Sequence, residues 1–282
     1  MVRDEREVSF RSCCFGVDIK IGKRWDRLVE KIWILKNGTL DLDESILVAG
    51  RGFGNKLTVP SYSVLAKLEK EYVLIDTGLN PQGILHPDTT WGARAKTVRP
   101  ALTTEDSIQN RLNELGVSCD EIHKIFITHL HWDHTGGLQF FKNAKVIVQK
   151  AEHRYAYEPD SHIGGSYMRN HFDFCQNYEL VEGDCAYEPG IDLLFTPGHT
   201  PGHQSVLLTC ENGTRWIVGG DAIYCNRNIG ERLPPGNCWD GSQALLSLDK
   251  LVTIARLTGA EIFPGHDADL SLLDQWNQRL PH

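Results

Sequence analysis

Residues 129–134, His-Leu-His-Trp-Asp-His, place four side chains that can bind a metal ion within six positions. In an extended segment, residues i and i+2 lie on the same side, so His129 and His131 can bind one ion from the same face. Asp133 and His134 lie one step further, where we expect the chain to turn, and they can bind a second ion. Four such side chains in so short a run do not pack a hydrophobic core. The run therefore predicts a metal site.

The metal-binding run follows an apolar segment that is typical of a strand, and three other predicted strands end in a similar way. Each of those three leads into a histidine or an aspartate, with a glycine directly before it. Functional sites of layered α/β proteins form where the ends of their strands meet, so we expect these residues to lie close together. The predicted strands and the residues after them are Lys124–Thr128 with His129, Ile191–Phe195 with His199, Arg215–Gly220 with Asp221, and Ala260–Phe263 with His266.

Together these residues predict two adjacent metal ions, because the two oxygens of the Asp221 carboxylate allow it to bridge both. Sites with four nitrogen and oxygen ligands suit Zn²⁺, and imidazole also suits Fe, Co or Mn. Two divalent ions beside two aspartates and a hydroxide keep a net positive charge that would stabilise an oxyanion, and metal binding lowers the pKa of water to about 7. The predicted ligands are His129, His131, His199 and Asp221 for the first ion, and Asp133, His134, His266 and Asp221 for the second.

Two further side chains have both a structural and a functional interpretation. Asp76 follows the strand-like run Tyr72–Ile75, and it either forms a plain turn or orients a ligand histidine through its ring N–H. His203, four residues after His199, is a weaker candidate for such a supporting role. The remaining histidines are interpreted as ordinary surface or core residues: His86, His123, His153, His162, His171 and His282.

Strands and helices are interspersed along the chain and indicate a layered α/β domain. We expect residues 1–30 to form an N-terminal extension and residues 31–282 to form a single domain. Residues 79–103 and 158–178 break the periodic pattern, and Asn37-Gly38 predicts a hairpin turn after the strand Ile32–Leu35. The other expected elements are strands Ser61–Leu68, Glu71–Ile75 and Lys145–Gln149, a hairpin through Asn212-Gly213, and helices Thr104–Leu115 and Ser242–Leu257.

The composition excludes several classes of protein. The chain has 282 residues, 41% hydrophobic and 23% charged, which excludes a disordered protein. The formal net charge of −8 opposes binding to nucleic acid or to an anionic membrane. No apolar run exceeds four residues and residues 1–6 lack an apolar signal core, so we expect neither a membrane span nor a secretory signal. The eight cysteines form no C-x-x-C pair, which favours reduced thiols in a cytoplasmic protein.

The run at residues 129–134, followed by a histidine, an aspartate and a histidine at strand ends, resembles the signature of the metallo-β-lactamase superfamily. The resemblance extends from about Ser61 to Asp267. It implies an α/β fold, a four-layer αββα sandwich with a dinuclear metal cleft between its two sheets.

Within that superfamily, the chain resembles the N-acyl-homoserine lactonases. The resemblance therefore implies that this chain opens the ring of a small-molecule lactone. It is also compatible with a homodimer. The stretches that carry the resemblance are Val148–Tyr157, Glu182–Asp184, Thr196–Ser205, Asp221–Tyr224 and Phe263–Asp267.

The resemblance also implies roles for individual residues. A bridging hydroxide attacks the ester carbonyl, and Tyr224 donates a hydrogen bond to the carbonyl oxygen. Asp133 holds the hydroxide and passes its proton to the alkoxide. We expect Trp132 to line the apolar side of the cleft and to contact substrate. Residues 158–178 are expected to form part of a lid over the acyl chain through Ile163, Tyr167, Met168 and Phe172.

Several alternatives remain open. A thioester hydrolase of the glyoxalase II type shares the metal ligands, but that class uses basic residues of a C-terminal extension, and here Arg279 is the sole strong cation among the 15 residues after Asp267. Hydrolysis of another small lactone, such as γ-butyrolactone, is a second alternative. A β-lactamase is disfavoured by Asp221 at the bridging position, and a nucleic-acid phosphodiesterase by the negative charge. A metal-binding scaffold without activity would usually lack a ligand, and none is missing.

Overall fold

The structure is a computed structural model that describes residues 9–11, 18–20, 28–174 and 177–281. A seven-stranded and a five-stranded β-sheet pack face to face, and helices cover their outer faces. The expected four-layer αββα sandwich is therefore confirmed. Most of the predicted N-terminal extension lies outside the described residues, but Val29 is fully buried in the core, so the packed domain begins before Lys31.

The seven-stranded sheet is mixed. It is formed by β3 (Lys31–Asp43), β4 (Lys56–Lys67), β5 (Tyr72–Ile75), β6 (Arg99–Ala101), β7 (Ile122–Phe126), β8 (Lys145–Gln149) and β9 (Tyr178–Val181). The strand order is β6-β3-β4-β5-β7-β8-β9, with antiparallel pairing from β6 to β5 and parallel pairing from β5 to β9. Two further short strands, β1 (Ser9–Arg11) and β2 (Asp18–Lys20), pair only with each other among the described residues.

The five-stranded sheet follows the order of the sequence from β10 to β14. Its first four strands pair antiparallel and β14 pairs parallel to β13. The last two strands therefore end at the same edge of the sheet. The strands are β10 (Cys185–Glu188), β11 (Ile191–Phe195), β12 (Gln204–Thr209), β13 (Arg215–Gly220) and β14 (Glu261–Pro264).

Nine α-helices lie in the described part of the chain, and most are short. The longest, α8, is preceded by Asp240, whose carboxylate accepts hydrogen bonds from the first turn, and is followed by Gly259, whose φ is +71°. The helices are α1 (Pro87–Trp91), α2 (Arg94–Thr97), α3 (Ile108–Glu114), α4 (Trp132–Thr135), α5 (Lys150–Tyr157), α6 (Arg169–Phe172), α7 (Asn226–Glu231), α8 (Gly241–Thr258) and α9 (Ser271–Arg279).

Three apolar layers hold the sandwich together. Between the sheets, Val64, Phe126 and Ile147 of the larger sheet share a cluster with Val206 and Phe263 of the smaller one, and all five are fully buried. The outer face of the larger sheet packs on α3 and α5, and that of the smaller sheet packs on α8. Because the central strands bury apolar side chains on both faces, their polar groups collect at their ends, where the site forms.

The prediction of a hairpin turn at Asn37-Gly38 is wrong. β3 continues through both residues and stays paired with β4, with a bulge at this point. Gly38 has a φ of +99°, a conformation that suits a two-residue turn and a bulge equally well, so the dipeptide alone does not distinguish them. The bulge directs Asn37 into the interior, where its side-chain oxygen accepts a hydrogen bond from Ser63 at 2.6 Å.

Other expectations hold in part. The strands that lead into the predicted metal ligands are present, as are the hairpin between β12 and β13 and the helix α8. Residues 79–103 contain α1, α2 and β6 instead of a plain loop, and 158–178 contains α6. The expected helix Thr104–Leu115 is split in two, because the Ser107 side chain caps α3 and separates it from the 3-10 turn Thr104–Asp106. The sequence patterns did not predict β9, β10 or α9.

Among the described residues, no helix combines the length and apolar character that a membrane span requires. The described cysteines are all free, and none is fully exposed. This agrees with the expectation of reduced, partly buried thiols for that part of the chain. The described free cysteines are Cys119, Cys185, Cys210, Cys225 and Cys238, while Cys13, Cys14 and Cys175 lie outside the described residues.

Candidate metal centre

The residues that follow four strands meet in the interior of the sandwich. β7 leads into residues 129–134, and β11, β13 and β14 lead into His199, Asp221 and His266. The chain turns at His131, where α4 begins, and this turn carries the next two ligand candidates to a second position. All seven predicted ligands are buried, with exposed fractions between 0% and 8%. The structure thus brings together the whole set that the spacing predicted.

The first cluster consists of three histidines and one aspartate. Nε2 of His199 lies 3.2 Å from Nε2 of His129 and 3.0 Å from Nδ1 of His131. Oδ2 of Asp221 lies 3.2 Å from Nε2 of His199 and 3.6 Å from Nε2 of His129. One atom of each of these side chains lies within 4.8 Å of all the others, which is the spacing of groups that could hold one ion.

The second cluster lies on the other side of the same carboxylate. Oδ1 of Asp221 is 3.3 Å from Nε2 of His134 and 3.2 Å from Nε2 of His266. Oδ2 of Asp133 is 3.9 Å and 3.7 Å from the same two nitrogens. Each oxygen of Asp221 therefore faces a different pair of histidines, which is the arrangement that a bridging carboxylate requires.

The two clusters suit cations better than a network of hydrogen bonds. Nε2 of His134 and Oδ1 of Asp221 are buried, and neither has a hydrogen-bond partner among the described residues. A neutral imidazole has one donor and one acceptor nitrogen, so facing imidazoles cannot all satisfy each other. A buried polar group without a partner destabilises a protein by about 1–3 kcal/mol. Imidazole and carboxylate are ligands that Zn²⁺ accepts, and Fe, Co and Mn accept them as well.

Asp76 orients His134, the supporting role that its position after β5 suggested. Its Oδ2 accepts a hydrogen bond from Nδ1 of His134 at 2.7 Å, so Nε2 of that ring faces the cluster. Asp76 also accepts hydrogen bonds from the backbone N–H and the hydroxyl of Thr128, both at 2.8 Å. Its φ of +57° is a strained conformation for a residue with a side chain. The hydrogen bonds with His134 and Thr128 stabilise this strained backbone conformation at the edge of the site.

Two more histidines of the clusters are fixed through backbone carbonyls. Nδ1 of His199 lies 2.7 Å from the carbonyl of Asn237, and Nδ1 of His266 lies 2.8 Å from that of Pro60. A ring that donates through Nδ1 presents the lone pair of Nε2 to the cluster. The contact of His266 with β4 joins the two sheets at the site.

His203 supports Asp221 and does not face the clusters as a ligand. Its Nε2 accepts a hydrogen bond from the backbone N–H of Asp221 at 3.0 Å, and its Nδ1 lies 2.8 Å from the Thr196 hydroxyl. Burial lowers the pKa of His203 to about 3, so the ring stays neutral and keeps the lone pair that this hydrogen bond needs.

The histidines of the two clusters differ in the direction in which their pKa values are shifted. Burial lowers the pKa values of His129, His131 and His199, which keeps these rings neutral. Burial opposes ionisation of Asp221, but His134 and His266 outweigh it and hold the pKa of this carboxyl well below its usual range. In turn, burial lowers the pKa values of His134 and His266, but Asp221 outweighs it and raises both. A cation that enters the second cluster must therefore displace a proton.

Glu152 is a supporting residue that the sequence analysis did not identify. It lies on α5 with no exposed surface, and its carboxylate accepts four hydrogen bonds. One oxygen accepts from the Leu130 N–H at 2.9 Å and the Tyr167 hydroxyl at 3.0 Å. The other accepts from the Thr200 hydroxyl at 2.6 Å and the Gly202 N–H at 3.2 Å. Glu152 thus joins the loops that carry all three histidines of the first cluster.

The signal for Glu152 in the sequence is weak. It lies four residues before Ala156, and these two are the buried positions of α5, so a charged residue occupies the inner face of a short helix. A buried carboxylate requires partners, but its partners lie 15 to 50 residues away in the chain.

A cleft opens beside the clusters. The Tyr224 ring lies 5.5 Å from the His199 ring and 5.2 Å from the His266 ring, measured between centroids, so this tyrosine borders both clusters. Trp132 lines the cleft, as expected, and its ring centroid lies 6.2 Å from that of Trp91. The aliphatic part of the wall is formed by Leu40, Leu42, Ile46, Leu47 and Val98.

The prediction that residues 158–178 form part of a lid over the cleft is wrong for most of the side chains named for it. Ile163, Tyr167 and Phe172 are buried in the core on the outer face of the larger sheet, because the segment packs inward against α5. Met168 packs behind the cleft wall, against the cluster that contains Trp132. Within the described part of this segment, Ser166 lines the cleft.

Comparison with known proteins gives consistent results. Residues 58–266 match the family model of the metallo-beta-lactamase superfamily. An N-acyl homoserine lactonase of Bacillus cereus is 32% identical over 243 residues, which cover 86% of this chain and 94% of the relative. The N-acyl homoserine lactonase AttM of Azorhizobium caulinodans is 29% identical over 250 residues, covering 85% and 94%.

Solved structures agree with these relatives. A mutant of the lactonase AiiA from B. thuringiensis, with N-decanoyl-L-homoserine bound at its active site, superposes with a TM-score of 0.79 and 31% identity, covering 88% of this chain and 96% of that one. A second structure is an N-acyl homoserine lactone hydrolase with the product N-hexanoyl-L-homoserine at its catalytic metal centre. It has a TM-score of 0.79 and 30% identity, covering 88% and 96%.

Metal binding is expected to strengthen as the pH rises. The raised pKa of His134 means that a cation competes with a proton at neutral pH and no longer does so above that pKa. In Asp76→Asn, one of the three carboxylates that raise this pKa is lost, so the rise in affinity shifts to lower pH. Affinity at high pH is expected to fall roughly 10–100-fold because the ring is held less firmly. Metal titrations from about pH 6 to about pH 9 measure both effects, with the exposed Asp88→Asn as control. Unchanged curves for Asp76→Asn would contradict the role of Asp76.

Glu152→Gln is expected to weaken the first cluster. The amide has one acceptor oxygen in place of two, so buried donors lose their partners and folding stability falls by about 1–3 kcal/mol. Metal affinity should fall roughly 10–100-fold. Chemical unfolding and metal titration measure the two effects. Glu158→Gln, at the exposed end of the same helix, is the matched control and should change neither quantity. If Glu152→Gln behaved like this control, the carboxylate would not support the cluster.

Proposed function

Because this chain belongs to the metallo-beta-lactamase superfamily, and within it is similar to N-acyl homoserine lactonases over most of its length, we propose that it hydrolyses the lactone ring of N-acyl homoserine lactones. The observation that carries the proposal is the position of Asp221 between two clusters of histidines, with Tyr224 bordering both beside a cleft. That arrangement suits an ester carbonyl that needs polarisation and a water molecule that needs activation.

We propose that the seven clustered side chains hold two divalent ions, with Zn²⁺ as the ion that the ligand types favour. His129, His131, His199 and Asp221 would hold one ion, and Asp133, His134, His266 and Asp221 the other. When bound, such ions supply Lewis acidity and lower the pKa of water to about 7.

Tyr224 is the proposed hydrogen-bond donor to the carbonyl oxygen of the substrate. It is almost fully buried, and burial together with the charge of Asp221 raises the pKa of its hydroxyl well above the usual value. The hydroxyl therefore keeps its proton and can donate a hydrogen bond to an oxygen on which negative charge develops.

Asp133 is the proposed proton carrier. It is the most exposed of the seven clustered residues, at 8%, and it lines the cleft. Its carboxylate can accept a proton from the attacking water and pass it to the ring oxygen as that oxygen leaves. Trp132 and the aliphatic wall would exclude water and contact the acyl chain.

The cytoplasmic location and the homodimer stay predictions. The sequence favours the first through its cysteines, and the second rests on family resemblance alone. Size-exclusion chromatography with light scattering measures the assembly directly.

The function is tested by measuring acid release from purified, metal-loaded protein. We expect N-acyl homoserine lactones to be opened faster than γ-butyrolactone, since the cleft offers an apolar wall for an acyl chain. A glutathione thioester is assayed in parallel. Acid release from the thioester alone would indicate a thioester hydrolase and would overturn the proposal.

Tyr224→Phe is expected to lower kcat while the metal content stays near two ions per chain. The loss should be roughly 100-fold or more, the usual effect of removing one hydrogen bond to a developing oxyanion. Tyr187→Phe, on β10, is the matched control and should keep full activity. Steady-state kinetics and elemental analysis measure the two quantities. Loss of metal from Tyr224→Phe would assign the hydroxyl a structural role.

A further inference from the structure

Of the described residues that line the cleft, one is an arginine, and the proposed reaction does not use its side chain. Arg94, the first residue of α2, lines the cleft together with the clustered residues and the aliphatic wall. It is partly buried, and no carboxylate lies within ion-pair distance of its guanidinium among the residues that the structure describes. A guanidinium inside a cleft, without an acidic partner, is available to a ligand.

The guanidinium is held in place from one side. Its Nη2 donates a hydrogen bond to the Ser166 hydroxyl at 2.5 Å, and Ser166 is itself buried at 3% exposure. Its Nε lies beside Gly165, since a Cβ atom added to that glycine would be 3.8 Å from this nitrogen.

The acyl groups of the proposed substrates carry no charge, so they offer this guanidinium carbonyl oxygens as neutral acceptors. A guanidinium has five N–H donors in a planar fork, and Ser166 takes one of them. The remaining donors suit two carbonyl oxygens held side by side. An acyl amide with a second carbonyl on its third carbon presents such a pair, separated by one methylene group.

We propose that Arg94 is a specificity-determining residue that binds the carbonyl oxygens of the acyl group and selects 3-oxoacyl over unsubstituted acyl homoserine lactones. This inference rests on the proposed lactonase function. The lactone ring would lie at the clusters, the amide and 3-oxo oxygens at Arg94, and the rest of the chain along the aliphatic wall.

The test compares kcat/KM for N-(3-oxooctanoyl)- and N-octanoyl-homoserine lactone. We expect the native protein to prefer the 3-oxo substrate by roughly tenfold or more, the effect of a hydrogen bond to a charged group. In Arg94→Met, which keeps an unbranched apolar stem but loses every donor, the ratio should fall close to one. Arg94→Lys keeps the charge without the fork and should retain part of the preference. Arg99→Met, an exposed arginine on β6, is the matched control and should keep the native ratio.

Ser166→Ala provides a second variant that leaves Arg94 in place. Without its anchor the guanidinium is less ordered, so the preference should fall partly, even if Arg94→Met folds poorly. If both substrates lost activity equally in these variants and the ratio stayed native, Arg94 would only tie α2 to Ser166, and the inference would be overturned. Equal native activity on both substrates would overturn the inference and leave the proposed function standing. If the native protein opened neither substrate, the proposed function itself would fail.

Discussion

A buried carboxylate that faces two pairs of imidazoles is the constraint on which the rest of this structure depends. Asp221 is 2% exposed, yet its surroundings keep it ionised, because His134 and His266 outweigh the penalty of burial. Such a group is stable only if suitable partners surround it. The strands β7 and β14 lead into the two histidines beside Oδ1, and β7 and β11 lead into the two beside Oδ2, so the sandwich must close correctly before the site can exist. Folding and the capacity to bind metal are therefore coupled in this protein.

The polar groups around the clusters limit where each imidazole can go. Asp76 fixes His134, the carbonyls of Asn237 and Pro60 fix His199 and His266, and His203 fixes the backbone of Asp221. Glu152 fixes the loops rather than the rings, since its four donors belong to three separate segments. Preorganisation of this kind means that little rearrangement is needed when a cation binds, and it explains why strain at Asp76 is tolerated.

The sequence is informative about the clusters because their chemistry is local. Residues 129–134 carry four candidates in one run, and the other three each follow a recognisable strand, so periodicity and residue type suffice. Glu152 and Arg94 could not be found in this way, since their roles depend on contacts with distant segments. The hairpin turn predicted at Asn37-Gly38 is wrong for a different reason. A glycine with a positive φ occurs in turns and in bulges, and the pairing of β3 with β4 decides between them.

The division between the clusters and the cleft wall explains how one metal arrangement can serve different substrates. The clusters fix the reaction type, since any ester-like carbonyl placed there meets the same donors. The wall fixes which molecule arrives, and its contributions come from separate elements: aliphatic side chains from β3 and the turn after it, Trp132 from α4, and Arg94 from α2. Substitutions in the wall can therefore alter substrate preference while the buried charges that stabilise the centre stay as they are.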